Sequence, residues 1–233
     1  MAIATVIIPT LNEEENIDNL LERLVEVQRG NPFAFDILFV DSASEDETQQ
    51  KVLAWQKRAP VRLLAQKFNV GLAGAVMAGA RHATADLVVV MDADLSHPPE
   101  DIPRLLQPLV AGTSNMSLGS RYTAGSAMPD WPVGRKIKSR LATIPARMFC
   151  DVKDPLSGFF AIERDLLVSL PGTVPGFKIA LALLAQYRKT IRVVEIPIVF
   201  CDRNCGSSKM SCSVVFAYLR QLVSLFARHY PGR

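Results

Sequence analysis

"LVVVMDADLSHPPE", residues 87–100, runs from apolar residues into two carboxylates one residue apart and then into a double proline. An unbroken aliphatic run of this length, bounded by turn formers, reads as a strand buried on both faces. Asp92 and Asp94 then stand at its carboxyl end. Pro98-Pro99 suits the first turn of a helix reaching toward Val110, because a first-turn proline gives up no helical hydrogen bond. A strand, an acidic turn and a helix thus follow one another within one short segment.

The same alternation extends outward. Apolar runs at 4–9, 35–40, 61–65 and 116–119 read as further strands, and the first four strands, counting 87–91, are expected to be buried on both faces. Helical patterns fall at 14–27 with Asn12 as cap, at 45–57 after Ser44, and at 72–82. This order predicts an α/β fold with a mostly parallel central sheet covered on both sides. Ligands of such sheets collect beyond the carboxyl ends of the strands. Residues 10–13, 41–44 and 92–96 should therefore line one crevice.

The second half is less regular. A loop at 119–132 precedes a basic amphipathic helix at 133–149, which Pro145 should kink. A strand at 159–162, a helix at 177–187, a strand at 192–200, a polar loop at 201–211 and a terminal helix at 213–229 follow. The expected division is one domain over 1–211 and an appended amphipathic helix over 212–233.

With 49% hydrophobic residues in 233, a sizeable core is available, and a net charge of +3 does not indicate nucleic-acid binding. The opening "MAIATVIIPT" enters a strand without a basic leader region, so no signal peptide is read and the protein is expected to face the cytosol. Cys201, Cys205 and Cys212 lie close together, but a fourth ligand and a common zinc spacing are missing, so with Cys150 they read as reduced thiols.

An Asp-x-Asp at a strand end suits a hard divalent cation, magnesium or manganese, which takes carboxylate and water oxygens and leaves positions for substrate phosphates. The motif alone is short, and a plain turn competes with this reading. Asp41 and Glu13 at neighbouring strand ends favour the cation, because converging like charges repel unless something offsets them. His97 reads equally as a metal ligand or as a helix cap. Asp154, before Pro155, reads as a structural loop acid rather than a general base.

The segments "VIIPTLNEEENI", "FVDSASEDET", "ATADLVVVMDADLSHPPE", "GSRYTAGSAMPDWPVGRKIKSR", "DPLSGFFAI", "GFKIALALL" and "EIPIVFCDRNCGSSK" resemble, in order, those of family-2 inverting glycosyltransferases. More narrowly, they are similar to dolichyl- or polyprenyl-phosphate mannose synthases. The resemblance extends to about Lys209 and implies the GT-A fold, a nucleotide-binding sandwich with a divalent cation. It implies nucleotide-sugar contacts at Pro9, Leu11, Glu13, Asp41, Asp92, Ala93, Asp94, Arg121, Lys178 and Lys209. It also implies metal binding by Asp92, Asp94 and Ser96, and catalytic roles for Asp94, Arg121, Arg135 and Arg203. Three positions depart from the pattern: Leu11 where an aromatic is common, Ser42 where a second acid is usual, and Ala182 in place of a frequent acid.

The implied partners are GDP-mannose as nucleotide sugar and a polyprenyl or dolichyl phosphate. The chemistry agrees with the residue types. A leaving diphosphate gains charge that a metal ion and cations stabilise. A lipid phosphate is already an anion and needs no general base, but it needs cations to seat it, and arginine has the fork for phosphate oxygens.

No apolar run approaches the roughly 20 residues of a membrane span. In the terminal helix Val215, Leu219, Leu222 and Phe226 form one side, widened by Val214, Tyr218 and Leu225, against a polar stripe of Ser213, Ala217, Arg220, Ser224 and Arg228. In 133–149, Ile137, Leu141, Ile144 and Met148 oppose Lys136, Lys138, Arg140 and Arg147. Such helices lie in a membrane interface, pack on a membrane-protein partner, or cover the protein's own core. The expected location is peripheral, at the cytoplasmic face. Competing readings are a transferase acting on a saccharide hydroxyl, a nucleotidyltransferase, and a silent nucleotide-sugar-binding subunit. The first lacks a Gln-x-x-Arg-Trp stretch at Trp55 or Trp131, and the second lacks a Gly-rich basic loop after the first strand.

Overall fold

The computed structural model describes residues 2–30, 32–171, 176–202 and 212–229. Its centre is a seven-stranded sheet. The strands are β1 (Ala4–Thr10), β2 (Phe35–Asp41), β3 (Val61–Ala65), β4 (Leu87–Val90), β5 (Met116–Ser120), β6 (Phe160–Glu163) and β7 (Val193–Pro197), in the spatial order β3-β2-β1-β4-β6-β5-β7. All pairings are parallel except those of β6, which runs against β4 and β5.

Period-two alternation sends successive side chains to opposite faces. Val6 and Ile8 meet Leu20, Leu24, Val52 and Leu105 of helices α1 (Glu14–Gly30), α2 (Thr48–Trp55) and α4 (Ile102–Val110). Ile7, Val88 and Val90 meet Val76, Ala80, Leu167 and Leu183 of α3 (Gly71–His82), α6 (Arg164–Val168) and α7 (Ile179–Gln186) on the other side. The expectation that the first four strands are buried on both faces fails for β3. It is an edge strand, and Arg62 to Leu64 are only half-buried.

Neither anticipated cap acts as one. Asn12 accepts through Oδ1 from the backbone N–H of Glu45 at 2.9 Å, and Ser44 donates to Asp41, so both side chains tie strand-end loops together. Helix α2 accordingly starts at Thr48, where Asp46 accepts from the Thr48 backbone N–H.

The second half completes a smaller layer. Helix α5 (Val133–Ala146) carries Pro145 in its last turn, so little helix lies beyond it to bend. The terminal helix α8 (Cys212–His229) packs on the domain through part of its surface. Leu225, Leu222 and Tyr218 meet Ala142, Leu181 and Ala185 of α5 and α7, and the Tyr218 hydroxyl donates to the Ala142 carbonyl at 2.7 Å. Gln221 is fully buried and clasps the backbone of Lys178 by donating to its carbonyl and accepting from its N–H. Gly176 makes room, since a Cβ there would stand 2.4 Å from Gln221 Oε1.

Candidate functional site

The parallel register aligns the ends of β2, β1 and β4. Each of the following loops contains one non-glycine residue in the left-handed region: Asn12, Ala43 and Leu95, with φ of 55°, 60° and 62°. Among the described residues these are the non-glycine positions with positive φ. Such backbone costs of order 1–2 kcal/mol per residue and tends to gather at functional sites. The loops are also bonded to one another: Ser42 N–H donates to the Thr10 carbonyl, Asn12 N–H to Ser44 Oγ, and Glu13 N–H to Thr48 Oγ1.

Asp41 is fully buried and accepts from Thr10 Oγ1, Gln49 Nε2, and the backbone N–H and hydroxyl of Ser44. It organises the crevice wall from below. Pro9 and Leu11 are half-buried at the rim, and Glu13 accepts from Asn16 Nδ2 at 2.7 Å.

Asp94 is 5% exposed, and its Oδ1 accepts from the N–H and hydroxyl of Ser96, which fixes its rotamer. Ala93 is buried between the two carboxylates, whereas the Asp92 side chain is 35% exposed. Gly158 lies against Asp92 and His97: a Cβ there would press on His97 Cε1 at 3.3 Å and only touch Asp92 Oδ2 at 3.5 Å. No group of three or more His, Cys, Asp or Glu converges among the described residues. A cation here would rest on Asp92 and Asp94 with oxygens from water and a diphosphate. Two carboxylates with open positions are the habit of magnesium and manganese at phosphate sites, so the donor set fits.

His97 is neither free for a metal through Nδ1 nor a cap. Its Nδ1 accepts from the Asp92 backbone N–H at 3.1 Å, and its ring stacks on Phe159 and meets Phe200 edge-on. Burial pushes the imidazole below its ordinary range, against the pull of Asp92 and Asp94. Phe200 carries this wall onward to Trp131 and Arg121.

The arginines gather there. Arg121, just past β5, gives Nε, Nη2 and its backbone N–H to Asp154, which is fully buried. Burial opposes the Arg121 charge, but Asp154 more than offsets it and keeps the guanidinium protonated. Glu195 of β7 accepts from the N–H groups of Lys153 and Asp154 and so fixes the loop that carries Asp154. Arg135 uses Nη1 for both oxygens of Asp202 and lies over Trp131, its Cζ 4.1 Å from the ring centroid. Lys178 donates from Nζ to the Leu156 carbonyl. Arg203 and Lys209 lie outside the described residues. Ala182 is buried in α7, where the apolar surroundings suit it.

The structural reading of Asp154 agrees with its burial, but sequence does not name Arg121 as its partner. Nor does sequence single out Phe200, Glu195 or Gln221. An acid directly before a proline in "DPLSGFF" is the available signal for this part of the site, and it points to no second residue.

The model of glycosyl transferase family 2 matches residues 5–170. The dolichol-phosphate mannosyltransferase of Pyrococcus furiosus is 38% identical over 225 residues, covering 95% of this chain, and the chain spans 63% of that relative's length. The undecaprenyl-phosphate mannosyltransferase of Micrococcus luteus is 34% identical over 90% of this chain and 88% of its own. Among solved structures, a mannosyltransferase from Pyrobaculum calidifontis in complex with GDP-Man and Mn2+ superposes with a TM-score of 0.69 at 22% identity, over 99% of this chain and 65% of that one. The fold is thus that of GT-A glycosyltransferases.

Proposed function

Because this chain belongs to glycosyl transferase family 2, we propose that it moves mannose from GDP-mannose to a polyprenyl or dolichyl phosphate, with inversion and with Mg2+ or Mn2+. It works as a peripheral protein at the cytoplasmic face of a membrane. The names of the relatives support the sugar and the acceptor class, and the GDP-Man bound in the Pyrobaculum calidifontis neighbour supports the donor.

The observation that carries the acceptor is the state of Asp154. It is the loop acid weighed as a base for a hydroxyl acceptor and read as structural, and both of its oxygens are taken by Arg121 in a buried pair. A hydroxyl acceptor would need a base that this acid does not supply. An anionic phosphate needs only seating, and Arg121 and Arg135 stand where the acidic wall ends.

On this reading Asp92 and Asp94 would hold the cation at the diphosphate end of the donor. A divalent ion there stabilises the charge that develops on the leaving diphosphate. Ser96 fixes Asp94, the loops around Asp41 shape the nucleotide side, and Lys178, Arg203 and Lys209 add positive charge. Arg135 orients the lipid phosphate on the face opposite the diphosphate.

Two helices supply the route to the lipid. No helix among the described residues is long and apolar enough to cross a membrane. Yet Val133, Ile137, Leu141, Ile144 and Met148 of the α5 segment are each more than half exposed, as are Phe216, Leu219 and Val223 of α8. With the basic residues of α5, these apolar stripes suit a membrane interface or a membrane-protein partner.

The test is to offer GDP-mannose and manganese with either a polyprenyl phosphate or the free polyprenol of the same length, in wild type and Arg135→Ala. Mass spectrometry of the lipid should show a mannosylated phosphate, little product from the alcohol, and a loss of about ten- to a hundredfold in the variant. Equal use of the alcohol would overturn the reading.

A further inference from the structure

Trp131 sits between the two arginines, and their ion pairs with Asp154 and Asp202 give it no role. It is 8% exposed, and its Nε1 has no hydrogen-bond acceptor among the described residues. The Cζ of Arg135 lies 4.1 Å from its ring centroid and that of Arg121 5.9 Å. Phe200 closes the group, edge-on to Trp131 at 5.4 Å and beneath Arg121.

A ring that only filled space here would be better as phenylalanine, because the buried indole N–H finds no acceptor among the described residues. What indole offers in return is the strongest aromatic face for a cation. The carboxylate on Arg135 is a weaker tether, since the Asp202 side chain is 42% exposed and such pairs are screened. Stacking also uses the face of a guanidinium and leaves its in-plane N–H edge for oxygens.

We infer that Trp131 is a positioning residue for the acceptor phosphate: its face sets the orientation of Arg135 and its spacing from Arg121, and thereby the place where phosphate oxygens are received. The inference rests on the lipid-phosphate reading of the acceptor.

The experiment measures KM for GDP-mannose and for a short polyprenyl phosphate separately, in wild type, Trp131→Leu, Trp131→Phe and an enzyme carrying a ring-fluorinated tryptophan at 131. Losing the face should raise the acceptor KM about ten- to thirtyfold in Trp131→Leu and a few-fold in Trp131→Phe, with the donor KM within about twofold of wild type. Fluorination draws electron density from the ring without altering the fold, so it should raise the acceptor KM as well. Trp131→Phe, which removes the buried donor, should melt no lower than wild type. If Trp131→Leu does not fold, the phenylalanine and fluorinated enzymes decide.

An acceptor KM unchanged in those two, or donor and acceptor KM rising together, overturns the role of Trp131. In that case the proposed acceptor still stands if wild type glycosylates polyprenyl phosphate. If wild type uses no phosphate acceptor, the acceptor reading falls, and this inference falls with it.

Discussion

The two sides of the crevice are built differently. On the nucleotide side, the acids at the ends of β1, β2 and β4 are held by groups of their own or adjoining loops: Asp94 by Ser96, and Asp41 by Ser44, Gln49 and Thr10. The backbone does the placing, and three left-handed residues bend the chain at the strand ends. The nucleotide-side loops are also tied across 31 to 35 residues, but between neighbouring strand ends. On the proposed acceptor side the cations are held by groups from the later, less regular half of the chain. Arg121 takes Asp154 from 33 residues away, Arg135 takes Asp202 from 67, and Gln221 clasps Lys178 from 43. One side is preformed wherever its strands pair, whereas the other exists only once β6, β7, α5 and α8 have assembled. A substitution should therefore damage chemistry on the first side and assembly on the second.

The strongest way to break that contrast is Asp154→Asn. It leaves the Arg121 charge uncompensated in a buried pair and should cost about 3–5 kcal/mol of stability, read by denaturant melts. An unchanged midpoint would mean that the acceptor side does not depend on this pair. Asp94→Ala should do the opposite. Transfer should fall by about a hundred- to a thousandfold, and excess chelator should mimic it in wild type. The melt should move less than in Asp154→Asn, because the bonds from Ser96 to Asp94 Oδ1 join residues two apart in the same loop. An active variant, or full activity in chelator, would argue against a metal at this site.

Gln221→Leu comes next. It strands the Lys178 N–H and should destabilise by about 2 kcal/mol, with hydrogen exchange speeding up around α7 and α8 more than around β1. Protection that stays even across both sides would argue against two modes of construction. The smallest effect is at high pH. Burial raises the Cys150 thiol from its ordinary value of 9 to about 11 and the Tyr218 phenol from 10 to about 12. The folded state keeps these protons longer than the unfolded chain, so the stability they contribute is full below pH 9 and declines as pH rises through 11 and 12. Since Cys150 follows α5 and Tyr218 belongs to α8, alkaline melting followed by tyrosine absorbance should begin in this layer. A transition there no different from that of the β1 side would count against the comparison.

The same division explains what the chain reveals before it is folded. Strand ends announce themselves by an apolar run and a polar turn, so the sheet, the crevice and Asp92 with Asp94 are legible. The exposure of β3 is not, because edge position depends on strand order and no local pattern encodes that. Asn12 and Ser44 look like caps because capping residues and loop-tying residues are the same types. The partners of Arg121 and Arg135 are invisible because a long-range pair leaves no spacing to recognise. In α8 the sequence pattern shows a single apolar side, whereas the structure divides it: Tyr218, Leu222 and Leu225 face the domain, Val215, Leu219 and Phe226 are about half exposed, and Phe216 and Val223 add to the outward surface.

That division of α8 bears on anyone preparing a trimmed enzyme. A stop codon before Cys212 would look like a simple way to discard a greasy tail. It would also uncover Leu181 and Ala185, and it would take away the amide that holds Lys178. The shortened protein should be stickier than the parent, so solubility is better sought by placing polar residues at Phe216 and Val223 and leaving the helix where it is.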